Sequence, residues 1–239
     1  MKHLKIHHAV LDACLAVAAI ASARYGLWPA GIVLLIIAEF IMRPDPKRLS
    51  SAPYLIPQFS LVMLAASSKM TISQVGCLAL LMAWRGTSRL VQNERARTLA
   101  FGFSQISVLI AIFTIAAIWR LPSIISLALV WLSSYLLAVD FLRSREDSAS
   151  DVLALSWALM ATQLSWVFTL WAVMYVLPGG LLVIPQAAVV ISGIGYCCLS
   201  IYLAHNRSRL SRARLAEYLI IGLSIIMIVI AGTKWNGSV

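Results

Sequence analysis

Apolar residues along the 239-residue chain gather into nine long runs, and the stretches between them hold most of the charges. A helix that crosses the hydrocarbon core of a bilayer needs about 20 mostly apolar residues, with a range of roughly 17 to 25. The pattern predicts an all-α, polytopic transmembrane helix bundle that forms a single domain, residues 1–239. The predicted spans are 7–23, 27–42, 52–68, 70–86, 98–118, 122–142, 151–177, 181–204 and 214–233.

Helix-breaking residues occupy several of the connections between the runs. Proline, glycine or both occur in "RYGLWP" at 24–29, "RPDP" at 43–46, "RLP" at 120–122 and "LPGG" at 177–180. Both residue types interrupt regular helices, so each connection is expected to end one run before the next begins.

Two alternative arrangements remain open. The runs 52–68 and 70–86 are short, and as a re-entrant pair they would leave seven full spans. The segment "MKHLK", the apolar residues after it and "ASA" at 21–23 together resemble a cleavable signal peptide, whose removal would leave eight spans. Asp12 lies inside the apolar part of that segment and argues against cleavage.

The overall composition agrees with a membrane location. Soluble domains usually have about 25% charged and 45 to 50% apolar residues, whereas this chain has 12% and 61%. The mean hydropathy is +0.90. The formal net charge of +10 is spread over short clusters between apolar runs, which favours loop charges over a basic surface for nucleic acid.

The distribution of basic residues predicts an orientation, because cytoplasmic loops carry an excess of lysine and arginine. Alternate connections lie on the same side of the membrane, and one set holds 15 of the 19 basic residues. The fifteen are Lys2, Lys5, Arg43, Lys47, Arg48, Arg85, Arg89, Arg95, Arg97, Arg143, Arg145, Arg207, Arg209, Arg212 and Arg214. The other four are Arg24, Lys69, Arg120 and Lys234. A multi-pass protein of the cytoplasmic (inner) membrane is predicted, with its N-terminus in the cytoplasm and its C-terminus outside.

The densest basic cluster lies in the predicted cytoplasmic turn before the last run and comprises Arg207, Arg209, Arg212 and Arg214. The turn is short and has no interleaved aromatic residues for base stacking, so no nucleic-acid partner is expected. Clustered arginines beside a membrane attract anionic headgroups at about 1 kcal/mol per residue. Membrane lipids with anionic headgroups are therefore the predicted partners of this turn, and a membrane protein is a further possible partner of the chain.

Ionisable residues within a membrane are costly and are candidates for function. Apart from Asp151 and Glu217, which lie at helix starts where the macrodipole favours a negative charge, three acidic residues lie inside predicted spans: Asp12, Glu39 and Asp140. Glu39 precedes Arg43 by four positions and Asp140 precedes Arg143 by three, and these spacings place each pair on one helix face. Local ion pairs therefore explain both. Asp12 has no basic residue within reach after it, and a proton or cation site that uses Asp12 and Glu39 remains an alternative.

Amide side chains recur in the predicted spans, where they usually form hydrogen bonds with a neighbouring helix. Gln163 lies near the predicted mid-depth, with Trp166 on the same run and Trp131 on the run before. These three residues, with Gln105 as a fourth, are the candidate lining of a polar pocket. Hydrogen bonding between helices is the alternative role for Gln163.

Signatures of familiar chemistry are missing from the sequence. The chain has no H-E-x-x-H, no G-x-S-x-G and no carboxylate-rich D-x-x-D cluster. The four cysteines lie in apolar stretches without the spacing of a zinc site. No catalytic residue, cofactor, metal or disulfide is predicted.

The last third of the chain resembles a group of known sequences. The resemblance covers about residues 160–235, from Gln163 through "LSWVFTLWAVMYVLPGG" and Tyr196 to "RLSRARLAEYL" and Trp235. These features are similar to those of uncharacterised multi-spanning membrane proteins of reduced-genome bacteria. In that pattern a carboxylate often occupies the position of Gln163, from which this chain departs. The resemblance implies a membrane-helix fold and a membrane location but no reaction.

Three functions are compatible with the sequence. The first is an accessory or binding component of the membrane that acts through helix packing against lipid or a partner. The second is a transporter or substrate-binding subunit for a small or lipophilic ligand, in which helices would be broken at Pro57, Pro178, Pro185 and Gly193 with Gly195. The third is an intramembrane enzyme that uses Asp12, Glu39 or Asp140. The first is favoured, because the loops are too short for a catalytic domain.

Overall fold

A computed structural model describes residues 14–42, 52–67, 71–90, 94–143, 149–170, 174–176, 183–206 and 211–232. Nearly all of these residues are helical. The helices are α1 (Cys14–Arg24), α2 (Trp28–Met42), α3 (Ala52–Ser67), α4 (Thr71–Leu90), α5 (Glu94–Trp119), α6 (Ser123–Arg143), α7 (Ser150–Leu170), α8 (Gln186–Asn206) and α9 (Arg212–Gly232). The strands β1 (Met174–Val176) and β2 (Val183–Pro185) separate α7 from α8.

Four helices of this described part are long and apolar enough to cross a membrane. They are Thr98–Trp119 within α5, Ser123–Leu142 within α6, all of α7 and all of α8. Shorter apolar stretches occupy Cys14–Arg24, Leu55–Ser67 and Leu215–Ile225. The helical fold predicted from the sequence is therefore confirmed, and it is compatible with an integral membrane protein. The full count of nine spans stays a prediction.

The strand pair is a difference from the all-helical expectation. The apolar run 151–177 predicts one long helix, but α7 ends at Leu170 and Met174–Val176 forms β1. This strand pairs antiparallel with β2, in the register Met174↔Pro185, Tyr175↔Ile184 and Val176↔Val183. The sequence between the strands includes Pro178, Gly179 and Gly180, residue types with low helix propensity. Backbone groups of the two short segments are instead satisfied across the pair.

Two of the breaker sequences end helices with the same backbone geometry. After α1, Gly26 has φ 77°, and the Leu27 N–H donates to the carbonyl of Ser22 at 2.8 Å. After α5, Arg120 has φ 49°, and the Leu121 N–H donates to the carbonyl of Ala116 at 3.0 Å. Both are Schellman ends, in which a left-handed residue reverses the chain. Glycine takes this conformation without cost, whereas Arg120 holds it against side-chain sterics.

α5 lies at the centre of the described bundle, in contact with α3, α6, α8 and β2. Phe101 packs against Phe141 at 5.5 Å between ring centroids, and Gln105 contacts Ser134. From the first contact to the second, the residue number rises along α5 and falls along α6, so the two helices are antiparallel. The rings of Trp28 and Trp119 are 6.2 Å apart, so the start of α2 and the end of α5 lie at the same end of the bundle.

The interior combines apolar side chains with uncharged polar ones, and the exterior is largely apolar. The buried polar side chains among the described residues are serine, threonine and glutamine. Large apolar side chains are exposed along the spanning helices, as at Leu132 on α6 and Leu159 on α7. On α7 the buried residues Ala154, Ala158 and Ala161 recur on one face and permit close approach of neighbouring helices. This distribution is expected of a bundle whose solvent is lipid.

Candidate functional site

A buried amide joins three of the four helices that are long enough to span. Gln105 on α5 is only 1% exposed. Its Nε2 donates a hydrogen bond to Ser134 Oγ on α6 at 3.2 Å. Its Oε1 accepts a hydrogen bond from Trp157 Nε1 on α7, also at 3.2 Å. We call Gln105, Ser134 and Trp157 the amide node.

The position of Trp157 depends on a glycine of α8. A Cβ atom added at Gly195 would lie 2.6 Å from Cζ2 and 2.9 Å from Cη2 of the indole ring. The ring therefore occupies space that any larger residue at position 195 would fill. A second glycine, Gly102 on α5, leaves room for Tyr196, whose Cδ2 lies 3.7 Å from the corresponding Cβ position. Helix α8 thus approaches two of the three helices that carry the node, α7 and α5.

Neighbouring hydroxyls on α5 are satisfied by their own helix. Ser104 donates to the carbonyl of Ala100 at 2.7 Å, and Ser107 donates to the carbonyl of Ser104 at 2.9 Å. On α3, which packs against α5, the buried Gln58 follows a buried proline, Pro57. A proline inside a helix lacks the N–H that would bond to the carbonyl four positions earlier. The interior around α5 is therefore rich in polar groups that carry no charge.

Three buried hydroxyls have no hydrogen-bond partner among the described residues: Thr114 on α5, Ser165 on α7 and Ser192 on α8. Ser192 precedes Gly195 by three positions and Tyr196 by four, so it shares the face of α8 that meets α7 and α5. Each of these hydroxyls can donate one hydrogen bond and accept others. They are poor nucleophiles without an adjacent base.

The residues of the predicted pocket lie in two different environments. Gln105 is buried in the amide node, and Trp131 is half-buried and stacks on Tyr135 with ring centroids 5.8 Å apart. Gln163 is exposed and Trp166 is 56% exposed, both on the outer surface of α7. The structure therefore does not bring Gln163 together with Gln105. Whether the four residues line a pocket stays a prediction.

Sequence analysis did not include Trp157 in the predicted pocket, although Trp157 is the residue of α7 that reaches Gln105. At 100° per residue, Trp157 and Gln163 lie about 120° apart around the helix axis. Only one of them can therefore point at the bundle centre. The signal that identifies Trp157 is its phase with Ala154, Ala158 and Ala161, the small residues that mark the packed face of α7.

The predicted acidic and basic residues lie mostly outside the part of the chain that the structure describes. Asp12 falls outside it, and Glu39 lies in α2 with its side chain not described. Asp140 is half-buried near the end of α6 and has an interaction partner. Of the arginine cluster, Arg212 is exposed at the start of α9. Arg207 and Arg209, and the side chain of Arg214, lie outside the described residues.

All four cysteines lie in the described part of the chain, and Cys14, Cys77, Cys197 and Cys198 are free thiols. Cys197 donates a weak hydrogen bond to the carbonyl of Tyr218 on α9, at 3.6 Å. The described residues contain no group of three or more His, Cys, Asp or Glu side chains that could hold a metal ion.

Comparison with protein-family models, with curated proteins and with solved structures found no match to this chain.

Proposed function

We propose that the protein is an accessory or binding component of the cytoplasmic membrane that acts through packing of its helices against lipid or a partner membrane protein. The observation that supports this most is the amide node, in which Gln105, Ser134 and Trp157 use their polar atoms on one another. Polar groups at the centre of the bundle thus hold helices together. The large apolar side chains on the outside are left for contact with lipid or with another membrane protein.

The chemistry of the described interior favours binding over reaction. General acid or base catalysis needs a titratable group within about 3 Å of the proton that it moves. The buried polar side chains among the described residues are amides and hydroxyls, and the half-buried Trp157 adds an indole N–H. These groups orient and hold neighbours but do not exchange protons near neutral pH.

The proposed orientation puts the N-terminus in the cytoplasm and the C-terminus outside. The support is the division of basic residues between alternate connections, fifteen against Arg24, Lys69, Arg120 and Lys234. In this orientation the arginines between α8 and α9 face the cytoplasmic leaflet, where they attract anionic headgroups.

Native mass spectrometry of the full chain, released from vesicles of defined lipid composition, tests the proposal. We expect anionic phospholipid to be retained in preference to phosphatidylcholine. Replacement of Arg207, Arg209, Arg212 and Arg214 by glutamine should remove most of that preference. The matched control replaces Arg24 and Arg120, on the proposed outer side, and should leave the preference intact. Equal retention of both lipids, or conversion of the lipid to a new product, would contradict the proposal.

A transporter or substrate-binding subunit is the second candidate, and Pro57 is the observation that favours it. Pro57 is buried inside α3, with the buried amide Gln58 next to it. Interrupted helices with polar neighbours form the binding sites of many transporters. A small molecule retained by the wild-type chain and lost in Gln58→Leu would support this function. Retention of lipid alone by both proteins would argue against it.

A further inference from the structure

α7 is the least buried of the four helices that can span a membrane. Only 22% of an 18-residue apolar stretch of α7 is buried, against 39% to 44% of the corresponding stretches of α5, α6 and α8. Its packed face contacts α6 and α8. The opposite face carries exposed side chains from one end of the helix to the other, so a large part of α7 is available to something outside the described bundle.

Six of the exposed residues of α7 follow a heptad spacing, and Asp151, Leu155, Met160 and Val167 are exposed beside them. Steps of four, three, four, three and four positions connect Val152, Ser156, Leu159, Gln163, Trp166 and Leu170, all of which are exposed. Residues at alternating steps of three and four stay on one side of a helix and form the seam of a coiled-coil pair. We call these six residues the α7 seam.

Gln163 lies in the α7 seam at a depth where an amide has no water. It follows Ser150 by thirteen positions and precedes Leu170 by seven, or about 20 Å and 10 Å along the axis. Its side chain is exposed and has no hydrogen-bond partner among the described residues. An amide turned towards hydrocarbon without a partner is unfavourable, so a second polar group is expected to face Gln163.

We propose that a second copy of this chain covers the α7 seam and that the two Gln163 amides form hydrogen bonds with each other across a twofold axis. This inference rests on the proposed function as a helix-packing component and names its partner. A carboxamide carries both N–H donors and a carbonyl acceptor, so two of them satisfy each other reciprocally. A twofold interface places each seam residue near its own counterpart.

The membrane itself fixes the geometry of such a pair. Two copies inserted with the same orientation have parallel α7 helices, related by an axis along the membrane normal. Both Gln163 side chains then lie at the same depth. Gln163 is the only polar residue of the α7 seam whose side chain lacks a partner among the described residues, because the Ser156 hydroxyl donates to the carbonyl of Val152 at 2.9 Å. A single residue of this kind in an apolar seam also selects one register and one oligomeric state. Ser156, one heptad before Gln163, places a small residue where the helices approach closely.

The test is Förster transfer between donor-labelled and acceptor-labelled full chains in liposomes, measured over a range of protein-to-lipid ratios. We expect the wild-type chain to dimerise and Gln163→Leu to weaken dimerisation by about tenfold, because two reciprocal hydrogen bonds are lost. Gln163→Asn keeps an amide and should recover most of the transfer. The control is Leu132→Ala on the exposed face of α6, which should match the wild type.

A second measurement does not depend on the amide. In a chain whose native cysteines are replaced by alanine, Leu159→Cys in the α7 seam should form an oxidative cross-link between copies. Leu132→Cys, exposed on α6, should not. Equal cross-linking at both positions would overturn the proposed interface.

Other outcomes separate this inference from the function on which it rests. A wild-type chain that stays monomeric at every density but retains anionic lipid overturns the dimer and leaves the proposed function standing. Release of a different membrane protein by Gln163→Leu, from a chain that shows no self-association, also overturns the dimer. A dimer that turns over a lipid substrate keeps the interface and overturns the function.

Discussion

Substitution of Gly195 by alanine tests the contact that holds the amide node. The added Cβ would lie 2.6 Å from Trp157 Cζ2, whereas ordinary contact begins at 3.4 Å. The indole would have to retreat by the difference, about 0.8 Å. Its Nε1 is held to Gln105 Oε1 at 3.2 Å, so the retreat strains or breaks that hydrogen bond. The indole is one rigid ring system, so Cζ2 and Cη2 cannot move without moving Nε1 and its hydrogen bond to Gln105.

The magnitude follows from three contributions to the free energy of unfolding. Overpacking a well-filled interior costs about 1–3 kcal/mol. A lost hydrogen bond between membrane helices costs a further 0.6 kcal/mol or so. Alanine regains about 1 kcal/mol over glycine in a helix interior. With a mid-range overpacking cost, Gly195→Ala should destabilise the bundle by about 1.5 kcal/mol.

The assay is reversible unfolding in mixed micelles as the mole fraction of a denaturing detergent rises. Gly222→Ala on α9 is the matched control, since nothing lies within 4 Å of its Cβ position. The control should leave the free energy of unfolding unchanged or raise it by up to about 1 kcal/mol. Gly193→Ala should fall between the two, because the neighbouring Ile225 Cδ1 ends a side chain that can rotate away. Equal stability of Gly195→Ala and Gly222→Ala would refute the reasoning.

Three further predictions concern single positions. Arg120→Gly should raise the free energy of unfolding by about 1 kcal/mol, since glycine takes the left-handed φ of 49° without strain. An unchanged free energy of unfolding in the same detergent assay would contradict the assigned helix end. Gln105→Leu should lower the free energy of unfolding by about 1–2 kcal/mol, because Ser134 and Trp157 both lose their hydrogen-bond partner. An unchanged free energy of unfolding would show that the amide node does not hold the helices together. A topology reporter fused after Val239 should be active outside the cytoplasm and one inserted near Arg209 active inside, and the reverse pattern at either site would refute the proposed orientation.

The helices could be predicted from the sequence because their hydrophobic runs are long and the breakers between them are specific. Gly26 and Arg120 end helices where "RYGLWP" and "RLP" occur. The strand pair could not be predicted in this way. Residues 174–176 and 183–185 are apolar like the helices on either side, and a short apolar stretch does not distinguish a strand from a helix by periodicity.

The inward face of α7 is marked in the sequence only by the small residues Ala154, Ala158 and Ala161, and the polarity pattern does not show it. In a soluble protein the polar face of a helix meets water, so the pattern shows which way the helix is turned. In a membrane both the lipid and the interior accept apolar residues, and the pattern no longer separates them. Gln163 and Trp157 are equally plausible as interior residues on composition alone. The close approach of Trp157 to Gly195 decides between them, and that contact joins residues 38 positions apart.

The exposed apolar face of α6 is expected to meet lipid, while the interior of the bundle packs on itself. Spin labels placed singly along α6, in a chain whose native cysteines are replaced by alanine, measure this directly in proteoliposomes. At the exposed positions Leu129, Leu132 and Leu136 we expect frequent collisions with dissolved oxygen and few with a water-soluble nickel chelate. At the buried positions Val130 and Leu137 both collision rates should be low. Frequent collisions with the nickel chelate at the three exposed positions would mean that this face meets water, and would contradict the account.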